Sequence, residues 1–255
     1  MILYFSATGN DKYVAKEISK KTGDELVPLR DLIRWSEYEI NVSSGENFGV
    51  VMPTYFYGLP SILLDFLEKA TINLKGNNYC FFVATYGRTY GNVLSSAKSA
   101  FRKLNVNFDS LFIARFVDNW APVFNLRDEA QNKSDEANGE ENTLKIVRSV
   151  FHKKKGIDYP DEISTDEFFK GREYYEKIRH TNGFSVDVNK CSSCGLCAKQ
   201  CPLGVIEMED GHPVWKKDKC TLCLGCYHRC PEHAIDFMKC SDNGQYTNIK
   251  VGLDN

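Results

Sequence analysis

The sequence predicts an α/β protein in two parts: a doubly wound, five-stranded parallel sheet, followed by a small α+β unit built around cysteines. Three observations carry this reading. Apolar runs alternate with helix-like stretches over the first 120 residues, the pattern of a parallel sheet covered on both faces. Eight of the ten cysteines fall in two runs between positions 191 and 230. Such a region needs about 60 residues and leaves about 180 upstream, enough for a domain with its own core.

The strands are expected at Ile2–Ser6, Glu25–Leu29, Phe48–Pro53, Tyr79–Thr85 and Leu111–Val117. Each is short and almost continuously apolar, as a strand buried on both faces must be. Helices are expected between them at Lys12–Lys21, Ser61–Ala70 and Asn92–Leu104, and later at Thr143–Lys153 and Thr165–His180, where apolar residues recur near helical spacing. The Thr165–His180 helix is expected to complete the layer over the sheet. Residues 128–142, DEAQNKSDEANGEEN, are polar and poor in branched apolar residues, and read as a mobile surface insertion. The division expected is a domain over 1–181, with 118–163 as an insertion or variable region, and a second over 182–255. WAPVF at 120–124 reads as core packing in preference to a place beside the ligand of the sheet, the alternative that stays open.

The two cysteine runs, CSSCGLCAKQCP at 191–202 and CTLCLGCYHRCP at 220–231, have the same spacing, and the second lies 29 residues after the first. C-x2-C-x2-C-x3-C-P is the spacing that holds [4Fe-4S] clusters in bacterial-type ferredoxins. Three closely spaced thiolates reach three corners of one cuboid; the last cysteine of each run crosses to the other cluster. That assigns Cys191, Cys194, Cys197 and Cys230 to one cluster, and Cys220, Cys223, Cys226 and Cys201 to the other. Disulfides need an oxidising compartment, and no leader-like segment opens the chain; zinc prefers paired knuckles with a long spacer. Cys80, in the run CFFVA, reads as a buried small hydrophobe, and Cys240 as a surface thiol.

Ligands of open parallel sheets sit beyond the carboxyl ends of the strands, and three loops fall there. Ser6–Asp11 (SATGND) offers hydroxyls, a glycine and a helix N-terminus, which suit either a phosphate or an ordinary capped turn. Pro53–Pro60 (PTYFYGLP) places three aromatics after a buried strand, so at least one is available as a stacking surface. Its Gly58 permits a backbone conformation closed to other residues. Thr85–Asn92 (TYGRTYGN) repeats the mixture of tyrosine and glycine, or is a pair of plain glycine turns.

On these loops, and on Ile2, Leu3, Tyr4, Ser6, Gly9, Ala15 and Ile18 at their intervals, the chain resembles the flavodoxin-like family. With the cysteine runs it resembles the ferredoxin-fused flavodoxin-like proteins. The resemblance implies an FMN held by Ser6, Thr8, Gly9, Asn10 and Asp11 in the first loop. Thr54, Tyr55, Phe56, Tyr57 and Gly58 would bind it from the second loop, and Thr85, Tyr86, Gly87, Tyr90, Gly91 and Asn92 from the third. The isoalloxazine would lie between the aromatics of the last two loops, with a carbonyl at Gly58 turned toward flavin N5. Asp11 stands where the family usually has threonine. A carboxylate about 5 Å from a phosphate dianion is repelled by several kcal/mol even at an effective dielectric near 20, so Asp11 either faces solvent as a helix cap or weakens phosphate binding.

Function follows from the cofactors. The expected activity is electron transfer between two [4Fe-4S] clusters and FMN, with a redox protein, a ferredoxin or a reductase, as partner. The alternative is a reductase of a small organic acceptor, with Tyr86, Tyr90 and Arg88 as contacts. His212, His228 and His233 are expected at the surface or as donors to sulfur. A formal net charge of −2 provides no basic field for nucleic acid. No stretch approaches the ~18 apolar residues of a membrane span, and the expected location is cytoplasmic.

Overall fold

A computed structural model describes residues 1–252. Five parallel strands form the main sheet: β1 (Ile2–Tyr4), β2 (Leu26–Pro28), β4 (Asn47–Pro53), β6 (Tyr79–Tyr86) and β7 (Ser110–Arg115), in the order β2-β1-β4-β6-β7. The strand order reverses at β1, which makes the sheet doubly wound and opens a crevice at the carboxyl ends of β1 and β4. A separate parallel pair, β3 (Glu39–Val42) and β5 (Thr71–Leu74), lies outside that sheet.

Alternation along the strands divides the core. Leu3, Phe48, Val50, Met52, Phe82 and Ala84 face one side, under α2 (Leu29–Trp35), α3 (Ser61–Leu67) and α4 (Val93–Arg102). Ile2, Tyr4, Val51, Phe81, Val83, Phe112 and Ala114 face the other, under α1 (Asn10–Thr22) and α5 (Glu129–Phe151). All five expected strands and the helices between them are present. The short α2, which begins directly after Pro28, and the β3–β5 pair are additions.

The polar stretch expected as a mobile insertion is instead the first half of α5. Asp128 caps this helix by accepting from the Gln131 amide at 3.0 Å, and Glu, Ala, Gln and Lys all favour helix. Gly139 lets it approach the sheet, since a Cβ there would stand 2.3 Å from the Phe116 ring. It is α5, packed on α1 and β7, that completes the layer. The later helix α6 (Thr165–Ile178) begins in a capping box of Ser164 and Glu167 and buries only Tyr175 among its residues.

The cysteine region contains two antiparallel pairs, β8 (Phe184–Val186) with β11 (Ile235–Phe237) and β9 (Ile206–Glu209) with β10 (His212–Trp215). Between the strands lie α7 (Leu196–Gln200) and α8 (Gly225–His228), whose first residues are 29 apart. A third core joins this unit to the sheet through Val117, Ala121, Tyr175, Leu222, Leu224 and Tyr227. At its centre the Tyr175 hydroxyl donates to Thr221 O at 2.8 Å and lies 3.0 Å from Ser61 Oγ. Cys80 is buried as expected; Cys240 is buried as well, inside the third core. No helix among the described residues is long and apolar enough to cross a membrane.

Candidate functional site

Beyond the carboxyl ends of β1, β4 and β6 lies a cleft of about 340 Å³. The first loop contributes Ala7, Thr8, Asn10 and Asp11; the second, Pro53 to Tyr57; the third, Thr85 to Thr89. Trp120, Val123 and Phe124 form a further wall, so WAPVF borders the cleft, while its Ala121 stays in the third core. Leu222, Cys223 and Leu224 of the second cysteine run close the cleft.

In the first loop Gly9 sits at φ 108° just before α1, a conformation that favours glycine, and its amide donates to Ser6 Oγ at 3.1 Å. No side chain caps the first turn of α1. Asp11 points inward: it is 4% exposed, and Thr85 Oγ1 donates to its Oδ1 at 2.7 Å. Burial pushes its carboxyl from 3.8 up to about 7, against the opposing effect of hydrogen bonds from Thr85, its own amide and Ser6. The solvent-facing cap is therefore excluded. The outer side of the loop is covered by the tail, where the Asn248 amide donates to Thr8 O at 2.7 Å. Tyr246 Oη and Asn248 Nδ2 both donate to Asn10 Oδ1, at 2.9 and 3.2 Å.

The second loop turns tightly, with paired backbone bonds between Tyr55 and Gly58 at 2.9 and 3.0 Å. The left-handed residues are Phe56 (φ 46°) and Tyr57 (φ 69°), not Gly58. Two bulky residues in that region mark strain held by surrounding contacts. Phe56 stacks on Tyr175 at 5.0 Å and meets Trp120 edge-on at 5.1 Å, and Arg172 Nη1 donates to Tyr55 O at 2.8 Å. Gly58 lies outside the cleft with its carbonyl engaged by the Tyr55 amide, which corrects the expectation of a carbonyl aimed at flavin.

Thr85, Tyr86 and Gly87 of the third loop line the cleft, whereas Tyr90, Gly91 and Asn92 do not. The Tyr90 hydroxyl donates to Pro160 O at 2.8 Å and its amide to Glu162 at 2.8 Å, so this ring is turned into the scaffold. Exposed Arg88 lies over the Phe124 ring at 4.7 Å, across the mouth. Ser6 and Gly9 shape the first loop from behind. Thr54 Oγ1 is buried at the cleft wall with no partner among the described residues, a hydroxyl that a ligand would complete. The helix N-terminus at the first loop, the cleft's aromatic rings and this hydroxyl fit a flavin.

Two cavities hold the remaining predicted residues. One is lined by Cys191, Cys194, Cys197 and Cys230 with Met208, Pro213 and Ile235. The other is lined by Cys201, Cys220, Cys223 and Cys226 with Phe184, Val205 and Trp215. Among the described residues no three of His, Cys, Asp or Glu meet as a single-ion site; the four sulfurs surround a space. The Val205 amide reaches Cys201 Sγ at 3.4 Å and the Ala234 amide reaches Cys230 Sγ at 3.3 Å, the same bond 29 residues apart. Burial pushes the thiols of Cys197 and Cys223 up to about 11 and that of Cys220 up to about 12, so only a bound cation makes them thiolates at neutral pH. Both cavities fit clusters. His228 is neither exposed nor bonded to sulfur: its ring nitrogens meet Asn119 O at 3.0 Å and the Tyr246 amide at 3.2 Å.

Sequence reasoning missed Trp120, Phe124, Asn119 and the tail residues Tyr246 and Asn248. Only the rule that ligands gather at strand ends pointed toward 116–124, which follows the last strand; nothing local marked the tail.

Comparison with known proteins agrees with both halves. A flavodoxin domain matches residues 1–106, and a 4Fe-4S dicluster domain matches residues 190–235. The ferredoxin of Methanothermococcus thermolithotrophicus is 39% identical over 54 residues, 20% of this chain and 90% of that protein. A flavodoxin of Haemophilus influenzae is 37% identical over 57 residues, 22% of this chain, which spans only 32% of that relative's length. The solved flavodoxin of Streptococcus pneumoniae aligns with a TM-score of 0.33 at 18% identity, over 56% of this chain and 97% of that one. With a flavodoxin domain and a 4Fe-4S dicluster domain on one polypeptide, the chain belongs to the ferredoxin-fused flavodoxin-like family: it is an iron–sulfur flavoprotein whose cofactors are FMN and two [4Fe-4S] clusters.

Proposed function

We propose that this chain passes electrons between a redox protein and its flavin through two clusters in a fixed spatial order. Cys191, Cys194, Cys197 and Cys230 hold the outer cluster. Cys220, Cys223, Cys226 and Cys201 hold the inner one, beside the flavin. The observation that carries this order is the shared wall: Cys223 and Leu224 line both the inner cysteine cavity and the flavin cleft. No cysteine of the outer set lines the cleft, and Cys194 is exposed, which suits contact with a partner. We place the boundary between the two domains at 181/182.

When bound, the clusters supply one-electron steps and FMN supplies a carrier of two electrons that also accepts them singly. The protein positions and insulates. Thr54 and Thr85 offer hydroxyls at the cleft wall, Tyr55, Tyr57 and Tyr86 offer ring faces, and Leu222 and Leu224 keep water from the passage between cleft and cavity. Amides at Val205, Leu222 and Ala234 donate to cysteine sulfurs, which raises the potential of a bound cluster. Reduction of a small acceptor by the same cleft gains less support, because Tyr90, one of its three candidate contacts, faces away.

Cys201→Ala tests the order. It is expected to abolish the magnetic signal of the cluster held by the second run, and to slow flavin reduction by a reduced ferredoxin at least about tenfold. Loss of the other cluster, or an unchanged flavin rate, would refute the assignment.

A further inference from the structure

Asp11 is the one acidic side chain on the first loop of the flavin cleft, and the mechanism above gives it no role. In sequence it stands where the resemblance implies a threonine, and its side chain is buried at the cleft wall. The groups facing it are the Ser6 hydroxyl from its own loop, the Thr85 hydroxyl from the end of β6 and the Tyr55 phenol from the second loop. None carries a positive charge, and no ion pair involving Asp11 occurs among the described residues. Thr85 satisfies one carboxyl oxygen. In the acid form the other oxygen carries a proton and is a donor.

We propose that Asp11 binds the FMN phosphate as a neutral carboxylic acid, donating its proton in a hydrogen bond to a phosphate oxygen, so that FMN binding takes up one proton from solvent as the pH passes above neutrality. This rests on the flavin reading of the cleft. Two facts support it. Burial already holds the free carboxyl at about 7, so the acid form is present at little cost near neutral pH. The outer side of the loop is closed by Tyr246 and Asn248, so a phosphate at the α1 amides has Asp11 for a neighbour. An ionised carboxylate there repels a dianion strongly; a neutral one replaces the missing threonine hydroxyl. Riboflavin lacks the phosphate and should ignore the protonation state of Asp11.

The test is titration of the full chain, with clusters assembled and flavin removed under anaerobic conditions, with FMN and with riboflavin between pH 6 and 9. The phosphate of FMN has its second pKa near 6, so above pH 7 its own ionisation adds little slope. The expected result is an FMN Kd that rises about tenfold per pH unit above 7, a riboflavin Kd that stays level, and an FMN slope that disappears in Asp11→Asn. Calorimetry in buffers of different ionisation enthalpy should show close to one proton taken up per FMN at pH 8. A level FMN Kd, or a slope that survives in Asp11→Asn, overturns this inference and leaves the flavin reading standing. Failure of both flavins to bind at every pH, with iron content intact, overturns both. Asp11→Thr serves as the second variant should Asp11→Asn lose its clusters on folding.

Discussion

The two cysteine halves repeat one motif and one backbone pattern, yet they occupy different environments. The outer half exposes Cys194 and borders solvent through Pro231 and Glu232; the inner half buries Cys220 and is walled by Phe184, Trp215 and Leu224. Ligand spacing is a local property, and duplication copies it. Burial is not local: it comes from packing the second half against the sheet through the third core. A symmetric pair of cavities has thereby become unequal, one bordering solvent and one sharing a wall with the cleft. Reduction adds negative charge, which a buried apolar site opposes more than an exposed one. Two resolved potentials are expected, and the inner cluster should be the lower.

The comparison breaks most directly at the ligands that cross between halves. Cys230→Ala should remove the outer cluster and block flavin reduction by a protein donor, while a small reductant still reaches the flavin at the wild-type rate. Anaerobic spectroscopy of this variant beside Cys201→Ala would decide whether the two losses are complementary. Burial should also set the order of loss in air: the outer signal is expected to decay about tenfold faster than the inner one. Equal decay would mean that solvent reaches both alike.

Two smaller effects sharpen the inner side. Asp11 has a folded pKa near 7 and an unfolded value of 3.8. Between these values the unfolded chain releases a proton that the folded chain retains, so stability declines as pH rises from about 4 to 7 and is level above. Asp11→Asn should remove that decline and leave the protein roughly 1–3 kcal/mol more stable at pH 8, read from denaturant midpoints. Tyr175→Phe deletes the hydroxyl that links Ser61 to Thr221 and should cost about 1–3 kcal/mol. It should also loosen the cysteine unit from the sheet, seen as faster amide exchange at Thr221 and Leu222.

Much of this was legible in the sequence, for identifiable reasons. The grouping of cysteines around two cavities follows from spacing, and the strands from near-continuous apolar runs, both of which are written in neighbouring residues. The N-terminal half of α5 was hidden because its polar residues look disordered until Asp128 caps them and Gly139 lets Phe116 approach. Tyr90 misled in the other direction. It has the chemistry of a flavin contact, but Glu162 and Pro160, some 70 positions away, turn it inward. The orientation of Asp11 depended on Thr85, 74 positions on, and no local pattern contains that distance.

The segment 246–248 that lies on the first loop has a temporal meaning as well. Asn10 is made before its partners Tyr246 and Asn248, which follow roughly 10–50 s later at ordinary rates of synthesis. Until they arrive, the outer side of the first loop lacks its cover, and the residues that supply it lie beyond β11, after the second cysteine run. The nascent sheet can form first, but its first loop is completed only by residues that follow both cysteine runs.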